Sequence, residues 1–334
     1  MRELLYRING DTARAVQLPI SGGSLEVPCY FASISSLKTN LYPIEYLKLL
    51  VKIGAPHILI SAYDIVHTSR KNASAMLRLL KRAIKGGSRI MLDSGNYESY
   101  WRKDRKWTSK SYERVLNSTP HHLAMIYDNY DLMRGITKNI AGIEKETERQ
   151  RKLASGGVVV PIIHASPAKL IKVTKEIANR LRPLLLAIPE RELGEGVIER
   201  VVTLVRIRRE LNKLGTYIPI HLLGTGNPQS LLLFSVFGAD TFDGLEWCQT
   251  TVDPNNATLL HFHQRELLGK KLDLGISDGL TYQAATLLHN LTFFESWMNT
   301  VRKSLIDDDV VPLLEKYFDG GFLDNLRKQV KKVL

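Results

Sequence analysis

Strand-like apolar runs alternate with amphipathic helical segments along most of the chain, and this alternation limits the possible folds more than any other feature. The eight predicted strands are 25–34, 57–65, 89–92, 123–127, 158–163, 184–188, 218–223 and 241–242. Helices are predicted at about 43–53, 73–84, 137–153, 167–181, 197–213 and 228–237. Several strands are continuously apolar, which is typical of parallel strands buried on both faces. Eight strand–helix units favour a closed (β/α)8 TIM barrel in the α/β class, and an open doubly wound sheet is the alternative.

The last quarter of the chain departs from this pattern. Helices are predicted there at about 256–268, 280–304 and 309–333. The sequence has no linker long enough to mark a second domain. We therefore expect a single barrel domain over residues 1–334, with a C-terminal helical segment from about 250 to 334 packed on it.

Charge and cysteine content limit the partners and the compartment. The formal net charge is +12, which favours an anionic partner such as nucleic acid; a basic protein without such a partner is the alternative. Cys29 and Cys248 are too few for a disulfide framework or a cysteine-rich zinc motif, so they indicate a reducing compartment. Residues 1–7 lack an apolar signal core, and no apolar stretch approaches the ~20 residues that cross a bilayer. We expect a cytoplasmic protein without membrane association.

Polar residues follow strand after strand in this prediction. Asp93, Asp128, His164 and Asp243 come directly after the third, fourth, fifth and eighth strands. In a (β/α)8 barrel these positions meet at one rim, where active sites lie. Paired carboxylates suit chemistry at a sugar C1′ atom, where one attacks and the other transfers a proton. They equally suit binding of Mg²⁺, and a single Asp after a strand is usually a helix cap or a loop residue.

Five segments resemble motifs of the tRNA-guanine transglycosylase superfamily, which includes the queuine and archaeosine tRNA-ribosyltransferases. Residues 92–98 are similar to its DSGG-aromatic-Q motif, and residues 238–243 are similar to G-V-D-M-F-D. The other three segments are 187–196, 221–228 and 288–294, which resemble A-I-G-G-L-x-V-G-E-G, Y-L-M-G-V-G-x-P and H-N-x-x-F-Y. The matches occur in the family's order and span residues from about 24 to 320. The resemblance implies a (β/α)8 barrel and a pentosyltransferase that exchanges a purine base in a nucleic acid.

The resemblance also implies roles for individual residues. Asp243 would attack C1′ and expel the base, forming a glycosyl-enzyme ester, and Asp93 would protonate the leaving base and deprotonate the incoming one. Asp128 would accept hydrogen bonds from the Watson–Crick edge of guanine or of a 7-deazaguanine. No cofactor is implied. The residues expected to bind the substrate are Asp128, Tyr97, Ser94, Gly95, His164, Ile188, Leu223 and Gly224.

Within this set, Tyr97 and Leu223 would sandwich a base that has been flipped out of the stack. The backbone at 188–190 and the side chain of His164 would complete the pocket. Packing at the barrel rim is the alternative role for Tyr97. His164 stands where the family usually has Gln, and a lone His at a strand end is more often structural than catalytic.

The zinc site of the family is missing from this sequence. That site combines a C-x-C-x-x-C motif with the His of H-N; His289 is present, but no cysteine follows Cys248. His261 and His263 could in principle join His289 around a metal. On a helix, however, two residues that are two positions apart project about 200° from each other. We therefore expect no metal site.

The segment after Asp243 also departs from the family and bears on the substrate. The family reads C-V-x-P-T-R there and uses arginines on the tRNA anticodon loop, whereas this chain has Gly244–Cys248 without arginine. This favours the branch that inserts 7-deazaguanines such as preQ0 into DNA. The alternatives are the same reaction on tRNA, a non-catalytic nucleic-acid-binding partner subunit, and a cation-dependent barrel hydrolase. A homodimer or an accessory protein is compatible with each of them.

A basic and aromatic segment follows Asp93 at 100–107. Its cations and indoles suit phosphate contact and base stacking, and a solvated charged loop is the alternative. The basic runs at 202–213 and 327–332 are predicted to form solvated helix faces. The residues expected to bind nucleic acid are Arg102, Lys103, Arg105, Lys106 and Trp107.

Overall fold

The computed structural model of the protein describes residues 14, 16–128, 135–154, 156–272 and 280–334. Residues 1–7, in which no signal core is predicted, lie outside the described residues. In the described part of the chain, no helix is both long and apolar enough to cross a membrane.

Eight parallel strands form the centre of the molecule. An antiparallel hairpin of β1 (Gln17–Ile20) and β2 (Gly23–Glu26) precedes them. The parallel strands are β3 (Cys29–Ile34), β4 (His57–Ser61), β5 (Arg89–Asp93), β6 (Leu123–Met125), β7 (Val158–Val160), β8 (Leu186–Pro189), β9 (Ile220–Leu223) and β10 (Thr241–Gly244). They are hydrogen-bonded in the order β7-β6-β5-β4-β3-β10-β9-β8.

Backbone contacts between β8 and the residues that follow β7 close the sheet. The amide of Ile163 donates to the carbonyl of Ala187, and the amide of Ala187 donates to the carbonyl of Pro161, both at 2.9 Å. Ile162 and Ala187 form a parallel bridge at the same place. Closure leaves no open edge, and the predicted (β/α)8 TIM barrel is confirmed.

Helices cover the outside of the barrel. They are α1 (Pro43–Ile53), α2 (Ala62–Val66), α3 (Arg70–Lys85), α4 (Asn96–Trp101), α5 (Ser109–Ser118), α6 (Ile136–Arg151), α7 (Pro167–Leu181), α8 (Val197–Asn212), α9 (Pro228–Val236) and α10 (Glu246–Gln249). In α3, Ser69 caps the first turn by accepting a hydrogen bond from the amide of Asn72. Met76, Leu80 and Ala83 recur at helical spacing and are buried against the strands.

The first two strands are shorter than predicted. The predicted strand 25–34 is divided, because Pro28 has no amide hydrogen for a strand ladder. Strand β3 therefore begins at Cys29, whose amide donates to the carbonyl of Asp240. The predicted strand 57–65 ends at Ser61, and the apolar residues after it form α2.

The region after β10 contains a hairpin that the sequence pattern does not predict. Strands β11 (Thr250–Asp253) and β12 (Thr258–His261) pair antiparallel where a helix is predicted at 256–268, so that prediction is wrong. The Asp253 carboxylate accepts hydrogen bonds from the amide of Asn255 and the side chain of Asn256, which stabilises the turn. A 3₁₀ segment, Phe262–Leu272, follows it.

Three helices end the chain: α11 (Tyr282–Ile306), α12 (Val310–Tyr317) and α13 (Gly320–Lys331). The single helix predicted at 309–333 is divided because Asp319 starts a new helix by accepting from the amides of Gly321 and Phe322. Phe294 of α11 stacks on Tyr30 of β3 at 4.5 Å between ring centroids, and the indole of Trp297 donates to the carbonyl of Pro228. These contacts pack α11 against the barrel.

A buried charge cluster lies at the amino-terminal end of β10. Asp240 and Arg208 are both fully buried and 3.2 Å apart. The Asp240 carboxylate also accepts hydrogen bonds from the Arg14 guanidinium, the Tyr217 hydroxyl and the Ile220 amide. Every donor comes from another segment of the chain, so Asp240 ties the start of β10 to its surroundings.

Candidate active site

One cavity of about 460 Å³ opens at the carboxyl-terminal ends of the barrel strands. Its volume lies in the range typical of small-molecule sites. All eight parallel strands, or the residues directly after them, contribute to its wall. The sequence-predicted residues that line it are Asp93, Tyr97, Asp128, His164, Leu223, Gly224 and Asp243.

Asp243 lies near the end of β10, and three donors hold its carboxylate. Ser33 Oγ donates to Oδ2 at 2.8 Å, while His221 Nε2 and the amide of Gly224 donate to Oδ1 at 3.1 Å. The other ring nitrogen of His221 lies 2.8 Å from Thr241 Oγ1. Because a carboxylate only accepts, the Nε2 atom of His221 carries a proton. The three donors fix the direction of the carboxylate and stabilise its negative charge.

Asp93, at the end of β5, has a different environment. The hydrogen bond that its carboxylate accepts from the amide of Gly95 measures 2.8 Å. Burial raises the pKa of Asp93 well above its usual range, and the negative charges of Glu98, Asp128 and Asp243 raise it further. The protonated form is therefore favoured, which suits a group that donates a proton near neutral pH.

Glu98 lies in α4 and is not among the site residues predicted from the sequence. Its carboxylate accepts hydrogen bonds from Ser35 Oγ at 2.6 Å and Ser61 Oγ at 2.9 Å. Ser61 pairs with Asp93 in the register between β4 and β5, so Glu98 lies close to Asp93. Burial raises the pKa of Glu98, and burial together with the charge of Glu98 raises the pKa of Asp64 to about 7. The pKa values of Asp93, Glu98 and Asp64, on this side of the rim, are therefore all raised.

Asp128 is held by a second network on the neighbouring part of the rim. Ser94 Oγ donates to its Oδ1 at 3.1 Å, and His164 Nε2 lies 3.1 Å from its Oδ2. His164 Nδ1 lies 2.6 Å from Glu192 Oε1. Burial lowers the pKa of His164, but the hydrogen bonds and charges of Asp128 and Glu192 outweigh it and raise that pKa to about 9. His164 is therefore an imidazolium at neutral pH, and it orients Asp128.

Tyr97 follows β5 and Leu223 ends β9, and these two strands lie opposite each other. Four places separate β5 from β9 in the closed order of eight strands, which is half of the circumference. Both residues line the cavity and both are partly exposed. A planar base between them would have the Tyr97 ring on one side and the Leu223 side chain on the other.

Three other predicted substrate residues lie behind the wall. Ser94 is buried, and its hydroxyl donates a hydrogen bond to Asp128, which lines the cavity. Gly95 has a φ of +78°, and a Cβ there would lie 2.4 Å from Cβ of Tyr63, so only glycine fits this turn. Ile188 is fully buried, while the next residue, Pro189, lines the cavity. Alternate strand residues face opposite sides. The contact predicted for the backbone at 188–190 stays a prediction, and Pro189 and Glu190 of this stretch line the cavity.

The predicted nucleic-acid segment is divided between the surface and the core. Its cations are exposed and follow or end α4: Arg102, Lys103, Arg105 and Lys106. Trp107 is buried, and its indole donates to the carbonyl of Ser94 at 3.1 Å. Trp107 cannot stack on a base in this position, and its predicted role is wrong. Its indole supports the turn after Asp93 instead.

Glu246, which the sequence motifs do not indicate, also lines the cavity. Its carboxylate fills the space beside Gly226 and Gly244, where a Cβ on either glycine would collide with it. Burial raises the pKa of Glu246 to about 7, with smaller contributions from neighbouring acids that include Asp243. The carboxylate fits here because Gly226 and Gly244 have no side chains. The sequence pattern does not indicate that these two glycines make room for Glu246.

The three histidines that could in principle bind a metal do not form a metal-binding group. His261 ends β12 and His263 lies in the 3₁₀ segment, so the helix predicted for this pair is absent. His289 is buried and donates from Nε2 to the carbonyl of Val252 at 2.7 Å. Among the described residues, no group of three or more His, Cys, Asp or Glu side chains is arranged to hold a metal ion.

Comparison with known proteins does not identify the chain. No protein-family model matches it, and no curated protein matches it.

Proposed function

We propose that the protein exchanges guanine in DNA for a 7-deazaguanine such as preQ0, with Asp243 as nucleophile and Asp93 as proton-transfer residue. The observation that carries the proposal is that both carboxyl groups line the same cavity. Three hydrogen-bonding groups surround the Asp243 carboxylate, while burial raises the pKa of Asp93. Two carboxyl groups whose environments differ in this way can divide the roles of nucleophile and acid.

The reaction has two displacements at C1′. In the first, a carboxylate oxygen of Asp243 bonds to C1′ and the C1′–N9 bond breaks. The electron pair passes to the departing guanine, which takes a proton from Asp93. In the second, Asp93 removes a proton from the incoming base, whose N9 attacks C1′ and releases Asp243. Two inversions give net retention, as in retaining glycosidases.

Recognition of the base is assigned to Asp128. A carboxylate accepts two hydrogen bonds, which matches the N1–H and N2–H donors on the edge of guanine or preQ0. His164 and Ser94 hold the Asp128 carboxylate in one orientation. Such fixed acceptors favour a base with two adjacent donors and disfavour adenine, which has an acceptor at N1.

The polynucleotide is assigned as DNA on the basis of the segment after Asp243. Trp247 and Cys248 of this segment are buried, and the Trp247 indole donates to the carbonyl of Ser33. The segment is part of the packed core, so it does not present an exposed arginine to an RNA loop. The exposed cations at 102–106 supply the positive charge that a phosphate backbone requires.

The test is incorporation of radiolabelled guanine into duplex DNA, single-stranded DNA or tRNA, with and without EDTA. We expect label in DNA, unaffected by EDTA, and released again by unlabelled preQ0. Label in tRNA alone would overturn the DNA assignment and keep the mechanism. Strand or nucleoside hydrolysis that EDTA abolishes, without incorporation, would overturn the mechanism in favour of a cation-dependent hydrolase. The matched inactive control is Asp243→Asn.

A further inference from the structure

We infer that Trp101, with Tyr100 and Lys38 beside it, forms a stacking platform at the mouth of the cavity for an unpaired nucleotide next to the one inside. This Trp101 platform rests on the proposed function, because it needs a polynucleotide whose neighbouring nucleotide is flipped into the cavity. It assigns the base stacking predicted for the segment 100–107 to one residue, Trp101.

The position of Trp101 connects it to the cavity. Its ring centroid lies 6.3 Å from that of Tyr97, which lines the cavity, and the two rings meet edge to face. Lys38 also lines the cavity, and its ammonium lies 5.1 Å from the centre of the Trp101 ring. A strand that leaves the cavity beside Tyr97 therefore reaches Trp101 first.

Both rings of this aromatic pair are exposed. Trp101 is 53% exposed and Tyr100 is 66% exposed, and their rings are 5.7 Å apart. Neighbouring exposed rings at the mouth of a cavity are suited to the flat faces of bases, which stack on aromatic side chains irrespective of sequence.

The charges around the platform select a polyanion rather than an apolar partner. Lys38 and the cations at 102–106 surround it, and Asp104 is the one acid in that run. The Asp104 carboxylate is already bonded to the Tyr63 hydroxyl at 3.2 Å and lies 3.2 Å from His67 Nε2. Its negative charge is directed to the protein, so the outward-facing charge is positive and complements phosphate.

The protein carries its own probe for this contact. Of its four tryptophans, Trp107, Trp247 and Trp297 are buried, and Trp101 is the exposed one. Fluorescence that an added ligand quenches by stacking will therefore come from Trp101. The experiment titrates the full chain with a single-stranded DNA oligonucleotide at low salt, following tryptophan emission and, separately, the anisotropy of a labelled oligonucleotide. Inorganic polyphosphate, which has charge but no bases, is the second ligand.

We expect DNA to quench the emission and polyphosphate to leave it unchanged. Trp101→Phe should abolish the quenching while keeping the affinity within about twofold, because Phe still offers a stacking face. Trp101→Ala should weaken the affinity by about 5- to 150-fold, the range for the loss of one stacked base. Ile306→Ala, an exposed apolar residue on α11, is the matched control and should bind as the wild type does.

Two results would overturn the platform: DNA that binds without quenching, or a Trp101→Ala variant with wild-type affinity. Guanine incorporation measured in parallel separates this failure from that of the proposed function. Incorporation that is unaffected by Trp101→Ala, without quenching, rejects the platform and keeps the base exchange. If DNA quenches the wild type and Trp101→Ala loses affinity, but the wild type does not incorporate guanine, the exchange is rejected and the platform is kept.

Discussion

His221 Nε2 lies 3.1 Å from Oδ1 of Asp243, across the junction between β9 and β10. Thr241 pairs with His221 in the register of these strands and lies next to its other ring nitrogen. The alternation of side chains then places Thr241 and Asp243 on the same face of β10. The orientation of the Asp243 carboxylate thus depends on the His221 ring, whose other nitrogen is held by Thr241.

This relationship predicts a positioning role for His221. Replacing it with Phe removes a donor to Asp243, and misdirection of a nucleophile by about 1 Å can cost about 10²-fold in rate. We expect His221→Phe to lower kcat for guanine exchange by about that factor with little change in KM. His221→Gln, which keeps an N–H donor, should restore most of the rate. Equal losses in both variants would mean that His221 only fills space.

Asp243 itself should be indispensable. Asp243→Asn keeps the size of the side chain but removes the nucleophilic oxygen charge, so exchange should fall by about 10⁴-fold or more. A covalent protein–DNA adduct on a denaturing gel should disappear with it. Asp324→Asn, on the exposed face of α13, is the matched control. Wild-type exchange in Asp243→Asn would rule out the covalent mechanism.

The acid cluster predicts a specific pH response. The charge of Glu98 raises the pKa of Asp93, so Glu98→Gln should lower that pKa. If Asp93 acts as the acid, the alkaline limb of kcat/KM should move to lower pH in this variant. Gln can still bond to Ser35 and Ser61, so folding should be retained.

Glu315→Gln, an exposed change on α12, is the control and should leave the pH profile in place. An alkaline limb that does not move in Glu98→Gln would contradict the assignment of Asp93 as the acid.

His164 predicts a pH dependence of stability. Its pKa is raised in the folded state from 6.5 to about 9, which corresponds to about 3 kcal/mol of stabilisation. Because the folded pKa is the higher one, this contribution is complete below pH 6.5 and is lost as the pH rises through 9. The free energy of unfolding in urea should therefore differ most between wild type and His164→Gln at pH 6, and least near pH 10. A difference that is independent of pH would show that His164 is not charged.

The cations after α4 should act through phosphate. Neutral substitution of Lys103, Arg105 and Lys106 should weaken DNA binding for every sequence. It should also reduce the slope of log affinity against log salt by about 0.9 for each phosphate that the protein no longer neutralises. The control replaces Lys328, Lys331 and Lys332, which are on the exposed face or at the end of α13. Affinity at low salt that is unchanged by the first set would exclude this loop as a binding surface.

Much of the barrel could be predicted from sequence because its elements are strongly patterned. The helices Pro43–Ile53 and Pro167–Leu181 begin and end where they are predicted, since each starts with a proline and has a regular apolar stripe. The hairpin at 250–261 could not be predicted in the same way. Its short apolar run also fits a helix, and the decision between the two depends on the Asp253 turn and on tertiary packing.

Part of the site cannot be predicted from sequence, because the contacts that a side chain makes once it is buried do not show in the local pattern. The motifs contain Asp93 and Asp243, the family resemblance adds Asp128, and the structure places all three at one cavity. Glu98 and His221 lie within motif segments, but their bonds to residues far along the chain cannot be read from a local pattern. Trp107 illustrates the opposite error, because an indole among cations resembles a surface contact and is nevertheless buried.

The charge cluster around Asp240 has a consequence for the position of Asp243, near the far end of β10. Asp240 and Asp243 are three positions apart, a rise of about 10 Å. A slip of β10 by one residue would pull Asp240 away from Arg208 and turn the Asp243 carboxylate out of the barrel interior. The buried Arg208 guanidinium therefore helps to keep the Asp243 carboxylate in the cavity, at the opposite end of β10.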